Sequence, residues 1–313
     1  SADGTTIFSS NAGIDNHGNA SRDPFKNPKH GYTIRFKGRY GNGRLKAKLF
    51  PDSPVEEWDK FVLRGDYGFS WLHSDGTLQR PRGIRIRDVF CKDAFRDMSR
   101  MAGHTRIVNV LINGVYWGTF DITEDEAQDF GASYFGGDKN FYDVIEQNAL
   151  KNGQWTAYRE IKRILGWTSA PNYNTAPNAT MIASAFTDQK YEEIKQYVDV
   201  PWYADYMILH YLVGHEDWGT QTAYDKNWYA LRPPGSTFKY IPWDMENLMN
   251  SPTINRVSGA LYPPTAIQKR LDKNAQYRLD FADRVNLHMV NPDGALLAEA
   301  NIARLNQWGS VMN

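Results

Sequence analysis

One cysteine in 313 residues, Cys91, is too few for a disulfide framework or a thiolate zinc site. It lies in the helically spaced stretch IRIRDVFCKDAFRDMSRMAG and reads as a small core residue. An excess of charge is missing as well: 36 Lys and Arg balance 36 Asp and Glu. That excludes the basic surplus of a general nucleic-acid binder. No run of about 18 apolar residues occurs, so no membrane span is expected. The opening SADGTTIFSSNAG has neither the charged nor the apolar region of a signal peptide, as in a mature secreted protein or an excised domain. Three catalytic signatures are absent too. There is no GxxxxGK[ST], no GxSxG, and HEDWG lacks the second histidine of HExxH.

What is present begins with aromatics, 14% of the chain, including ten Trp and eighteen Tyr. Such rings suit cores, interfaces and carbohydrate surfaces alike, so they do not select a class. Trp117, Trp202, Trp218, Trp228 and Trp243 read as core or packing residues. The seven histidines are scattered and read as surface or capping residues, not ligands. EEWDK and RIRD read as solvated faces with weak ion pairs.

The periodicity divides the chain. YTIRFKG and KFVLRG alternate like strands, with a charged loop, RYGNGRLKAKLFPDSPVEEWD, between them. RIVNVLINGVYWGTFDIT is two apolar runs joined by Asn113-Gly114, the pair best suited to a two-residue turn. Beyond it, residues 156–166, 188–199 and 201–214 have helical spacing, and WTSAPNYNTAPNAT reads as a surface loop. The expectation is an α+β chain with a β-rich N-lobe, residues 1–150, and a helical C-lobe, residues 151–313, the boundary near 147–155.

Chemistry concentrates in the second half. ILHYLVGHEDW is an apolar helix running into His215, Glu216 and Asp217. KNWYALRPPGSTFKYIPWDMENLM, residues 226–249, reads as a hairpin that begins at Asn227 and delivers Asp244 and Glu246 at its end. Helix, acidic loop, Asn and a hairpin ending in Asp follow one another as in the C-lobe of a protein kinase. There one carboxylate orients the acceptor hydroxyl, while a carboxylate and an amide oxygen hold Mg²⁺, a hard ion that takes oxygen ligands. The plainer reading makes Asp217 a helix cap and Asp244 half of a surface ion pair.

Six segments, in order, resemble the spore-coat protein H (CotH) kinase family, secreted atypical kinases of spore formers and other bacteria. They are NPKHGYTIRF, KFVLRGDYGFSW, VLINGVYWGTFDITE, YFGGDKNFYDVIE, the pair NWYA and FKYIPWDME, and YRLDFADRV, spread over nearly the whole chain. The resemblance implies a two-lobed atypical kinase fold, ATP as co-substrate with Mg²⁺ or Mn²⁺, and transfer of the γ-phosphoryl group to Ser or Thr of a protein acceptor. It also implies secretion or a cell-surface location, with extracellular partners. It gives Asp217 the catalytic carboxylate role, makes Asn227 and Asp244 metal ligands, and places Glu246 near the metal. Lys29 becomes the lysine touching nucleotide phosphates, with Lys26, Arg22 and Arg35 as neighbouring alternatives, and Glu124 the residue orienting it.

One departure stands out. Ten positions separate Asp217 from Asn227, where kinases have five. Either a loop bulges out between intact ligands, or the site is altered and Asp225 substitutes as a carboxylate. The rivals are therefore an inactive pseudokinase serving as an extracellular binding or structural module, and an enzyme that transfers the nucleotidyl group instead.

Overall fold

Asn113 and Gly114 have φ of 51° and 78°, the left-handed pair that a tight hairpin turn requires. They join β6 (Thr105–Ile112) to β7 (Val115–Thr123) in the computed structural model, which describes residues 5–147, 149–167, 179–219, 226–257 and 263–312. With β1 (Gly13–His17), β2 (Gly31–Arg35) and β5 (Lys60–Arg64), this hairpin forms an antiparallel sheet in the order β1-β2-β5-β7-β6. The register between β6 and β7 slips past Val110, leaving Trp117 as the extra residue. A bulge re-aims the side chain it carries, and Trp117 is 46% exposed, so its reading as a packing residue is corrected. The other four of those tryptophans are buried.

The charged loop expected after β2 carries a short strand pair, β3 (Leu45–Lys46) with β4 (Glu57–Trp58). Leu45, Leu49, Phe50 and Trp58 bury their side chains, which is why this stretch acquires structure. All seven of these strands belong to one compact unit, the residues up to Val89 together with Gly103–Asp125.

The second unit comprises Phe90–Ala102 and the residues from Glu126 onward, and the stretch 147–155 lies inside it. Here β8 (Asp143–Glu146) and β9 (Ala149–Asn152) join β10 (Trp228–Arg232) and β11 (Lys239–Pro242) in an antiparallel sheet ordered β11-β10-β8-β9. Nine α-helices occur among the described residues: α1 (Arg87–Asp97), α2 (Gln128–Phe135), α3 (Thr156–Leu165), α4 (Ala179–Ala183), α5 (Asp188–Ile194), α6 (Val200–Leu212), α7 (Thr265–Leu271), α8 (Ala275–Val285) and α9 (Ala298–Met312). Antiparallel sheets with separate helices make the chain α+β. Residues 168–178, most of the expected Pro/Asn/Thr-rich loop, lie outside the described residues.

Helix α6 explains the position of the acidic loop. Asp199 accepts a hydrogen bond from the Trp202 amide at 3.1 Å, and Pro201 occupies the first turn, so the start is fixed. VPWYADYMILHYL is apolar nearly all round, and such a helix belongs in a core. Gly214 follows with φ of 59°, and a Cβ there would meet Ile254 at 3.3 Å. The chain therefore turns sharply at the end of a buried helix and surfaces at Glu216 and Asp217. Among the described residues no helix is long and apolar enough to cross a membrane.

Candidate functional site

The loop after α6 is pinned on both sides of Asp217. His215 is fully buried, and its amide donates to the His210 carbonyl at 3.2 Å. The Glu216 amide donates to the Asn247 carbonyl at 2.8 Å, and its carboxylate takes Asn250 at 2.7 Å and Arg256 at 3.1 Å. Trp218 is buried and its indole N–H donates to the Tyr206 hydroxyl at 2.7 Å. The Thr265 hydroxyl donates to the Gly219 carbonyl at 2.7 Å. The Asp217 side chain is left 35% open, a little more than that of Glu216.

Across the ten-residue gap, the Asn227 side-chain amide donates to the Asp217 carbonyl at 2.8 Å and reaches its carboxylate at 3.4 Å. The long separation does not part the two residues. Asp225 and the rest of 220–225 lie outside the described residues. Asn227 precedes, and Asp244 lies two residues beyond, the last paired position of the β10–β11 hairpin, Trp228 opposite Pro242, so both stand at the same end of it. Both have left-handed backbones, φ 61° and 54°, a conformation that Asn and Asp tolerate better than other side chains. Backbone of this kind concentrates at working sites.

Burial pushes the Asp217 carboxyl above the usual aspartate range, the Lys226 ammonium at 3.4 Å pulls it back, and the Asp244 charge pushes it up further. The same effect places Asp244 within electrostatic reach of Asp217. The sequence carries one signal for Lys226, its adjacency to Asn227. Because Lys226 stabilises the carboxylate, Lys226→Met should raise the pH at which Asp217 titrates, read from its carboxyl carbon shift by NMR. An unmoved titration would remove Lys226 from the site.

The donor set suits a hard divalent ion that completes its shell elsewhere. With Nδ2 committed to Asp217, the Asn227 Oδ1 is the atom left for a metal, and Asp244 stands at the same end of the hairpin. No group of three His, Cys, Asp or Glu able to hold a metal occurs among the described residues, so Glu246 does not complete a carboxylate triad with Asp217 and Asp244. An ion of the Mg²⁺ type is ordinarily held by one or two carboxylates plus substrate phosphates, and this set fits that habit.

Lys29 and Glu124 belong to the first unit and have separate partners. The Lys29 ammonium donates to the Thr119 carbonyl, lies 3.9 Å from Asp66 and sits 4.5 Å from the Phe120 ring centre. Burial lowers its pKa, Asp66 opposing and Arg85 reinforcing. Glu124 instead accepts from the His104 amide at 2.8 Å and the His104 ring at 2.9 Å. Arg85 bridges Asp66 at 2.6 Å and Asp121 at 2.7 Å, so RIRD is no solvated face: Ile86, Arg87 and Asp88 are buried too. In EEWDK the expectation holds only for Glu56 and Glu57, since Trp58 is buried and Lys60 pairs with Asp125 at 2.6 Å. The histidine expectation is also corrected: His73, His104, His210, His215 and His288 are buried and serve as hydrogen-bonding core groups.

Chemically, the second unit presents a carboxylate suited to receive a proton, an amide oxygen and a second carboxylate suited to a divalent ion, and a nearby ammonium. A family model described as CotH kinase protein matches residues 14–286. No curated protein matches the chain.

Proposed function

The chain belongs to the CotH kinase family, and on that premise we propose that it transfers the γ-phosphoryl group of ATP to Ser or Thr hydroxyls of a protein acceptor outside the cell. The observation that carries this reading is the contact of Asn227 with Asp217, at the hairpin end that also bears Asp244. The fold it calls for is the two-lobed kinase-like one, with the β-rich first unit and the mainly helical second unit as the lobes.

Asp217 orients the acceptor hydroxyl and takes its proton; its raised pKa makes it a better base than an ordinary aspartate. Asn227 Oδ1 and Asp244 would hold Mg²⁺ or Mn²⁺, which when bound supplies positive charge against the phosphates. Asn227 also holds Asp217 in place through Nδ2, so one side chain ties the base to the metal position. Lys226 balances the site's negative charge. Little covalent work falls to the protein in phosphoryl transfer, so rate comes from positioning and electrostatics.

The test uses ATP labelled at the γ or the α position, with the protein itself and candidate secreted proteins as acceptors. Label should arrive from the γ position only and survive on Ser or Thr. Label from the α position would replace this reading with nucleotidyl transfer. Transfer from neither, across varied acceptors and both metals, would favour the pseudokinase.

A further inference from the structure

Helix α1 puts a fully buried cation beside the hairpin corner that bears Asp244. Lys92 and Glu126 are both 0% accessible and pair at 3.1 Å. The Lys92 ammonium also lies 5.3 Å from the centre of the Trp243 ring, within cation–π range. Trp243 immediately precedes Asp244, is itself buried, and meets Tyr229 edge-on with ring centres 5.1 Å apart.

The helix carrying Lys92 is held from its other side. Asp93 accepts from the Trp308 indole at 2.6 Å, and Asp97 accepts from Arg304 at 2.8 and 2.9 Å. Arg304 in turn lies over the Phe90 ring at 5.4 Å and donates to the Ala295 carbonyl at 2.8 Å. Both donors come from α9, past residue 286, where the family match ends. Lys92 is thus a fixed post on a clamped helix.

A buried ion pair is a poor way to gain stability, because well-packed apolar residues of similar volume do as well or better. The cation here has a second effect: it fixes an indole whose next residue must adopt a left-handed backbone, φ 54°. We propose that Lys92 is a positioning residue for Asp244, acting through the Trp243 ring, with α9 holding α1 so that this post does not move. The proposal rests on the kinase reading insofar as Asp244 is taken to hold the metal.

The test is Mn²⁺ binding by the full chain, followed by electron paramagnetic resonance in the presence of the β,γ-imido analogue of ATP. Removing both charges with K92M/E126L avoids the stranded carboxylate that K92M alone would leave, and its melting curve is recorded beside that of the parent. Mn²⁺ affinity should drop about 10-fold, the lower end of what loss of a ligand-orienting partner costs. Trp243→Phe, which keeps an aromatic face for the ammonium, should retain most of the affinity, and Trp243→Leu should lose it. Melting curves of the two Trp243 variants show whether a loss is only unfolding, and this pair decides the matter if the double variant does not fold. Parental Mn²⁺ affinity in K92M/E126L, or equal affinity in the Phe and Leu variants, would overturn the positioning role and leave the kinase reading intact. No Mn²⁺ uptake by the parent chain would overturn the metal assignment, and this proposal with it.

Discussion

Asp217→Asn should lower phosphoryl transfer by about 10²–10⁴-fold, the contribution typical of a positioned acid–base group. Binding of ATP and metal should be nearly unchanged, because Asp217 faces the acceptor in this scheme and Asn227 and Asp244 hold the ion. Asparagine is close in shape and keeps an oxygen toward the Asn227 amide, so the 2.8 Å bond from that amide to the Asp217 main-chain carbonyl survives. The folded state also holds the Asp217 proton more tightly than the unfolded chain does, burial being the main cause. Stability contributed by this group therefore falls as pH rises through its raised pKa. Asp217→Asn should accordingly melt higher than wild type at neutral pH, with the advantage fading in acid, where the wild-type carboxyl is protonated in both states. Calorimetry at the two pH values, beside the transfer assay, measures both effects. Transfer undiminished in the variant would sink the catalytic role of Asp217.

Asp244→Asn should damage binding and transfer together. The backbone at Asp244 is left-handed, and Asn accepts that conformation more readily than Ala, so Asn is the substitution that isolates the charge. A ligand that binds only the folded chain stabilises it by about 2.7 kcal/mol at 100 times its Kd. The variant should lose the metal-dependent part of that rise, measured against its own melting curve without ligand. Transfer should fall by at least about 10²-fold, the scale of removing one preorganised electrostatic contact. Thermal scans with ATP, with and without Mg²⁺ or Mn²⁺, give the comparison. An equal metal-dependent shift in both proteins would remove Asp244 from the metal site.

Features set by neighbouring residues are legible in the sequence itself. The Asn113-Gly114 turn, the apolar run of α6, and a hairpin offering Asn227 and Asp244 at one end all depend on short-range pattern. The proximity of Asp217 and Asn227 was legible only as an alternative, because ten positions separate them and no periodicity spans the gap. What stayed hidden was long-range charge pairing. Arg85 looks like one residue of an exposed charged run until Asp66 and Asp121 arrive from distant strands and loops. Glu124 closes a hairpin in a way that suits a lysine partner, yet a histidine twenty positions earlier takes it. β8 and β9 carry little sequence signal, because DVIE and ALKN are too short and irregular to show a clear period of two.

Cys91 lies in α1 between Phe90 and Lys92 and is 0% accessible, and it is the only thiol in the chain. A maleimide or disulfide reagent therefore has no native target while α1 stays closed. Its rate of modification, followed against denaturant, measures the free energy of opening that helix separately from global unfolding. The same shielding makes the wild-type sequence a host for single-site probes. A cysteine placed at the exposed Trp117 position would take a fluorophore in native buffer, with no need to remove the resident thiol first.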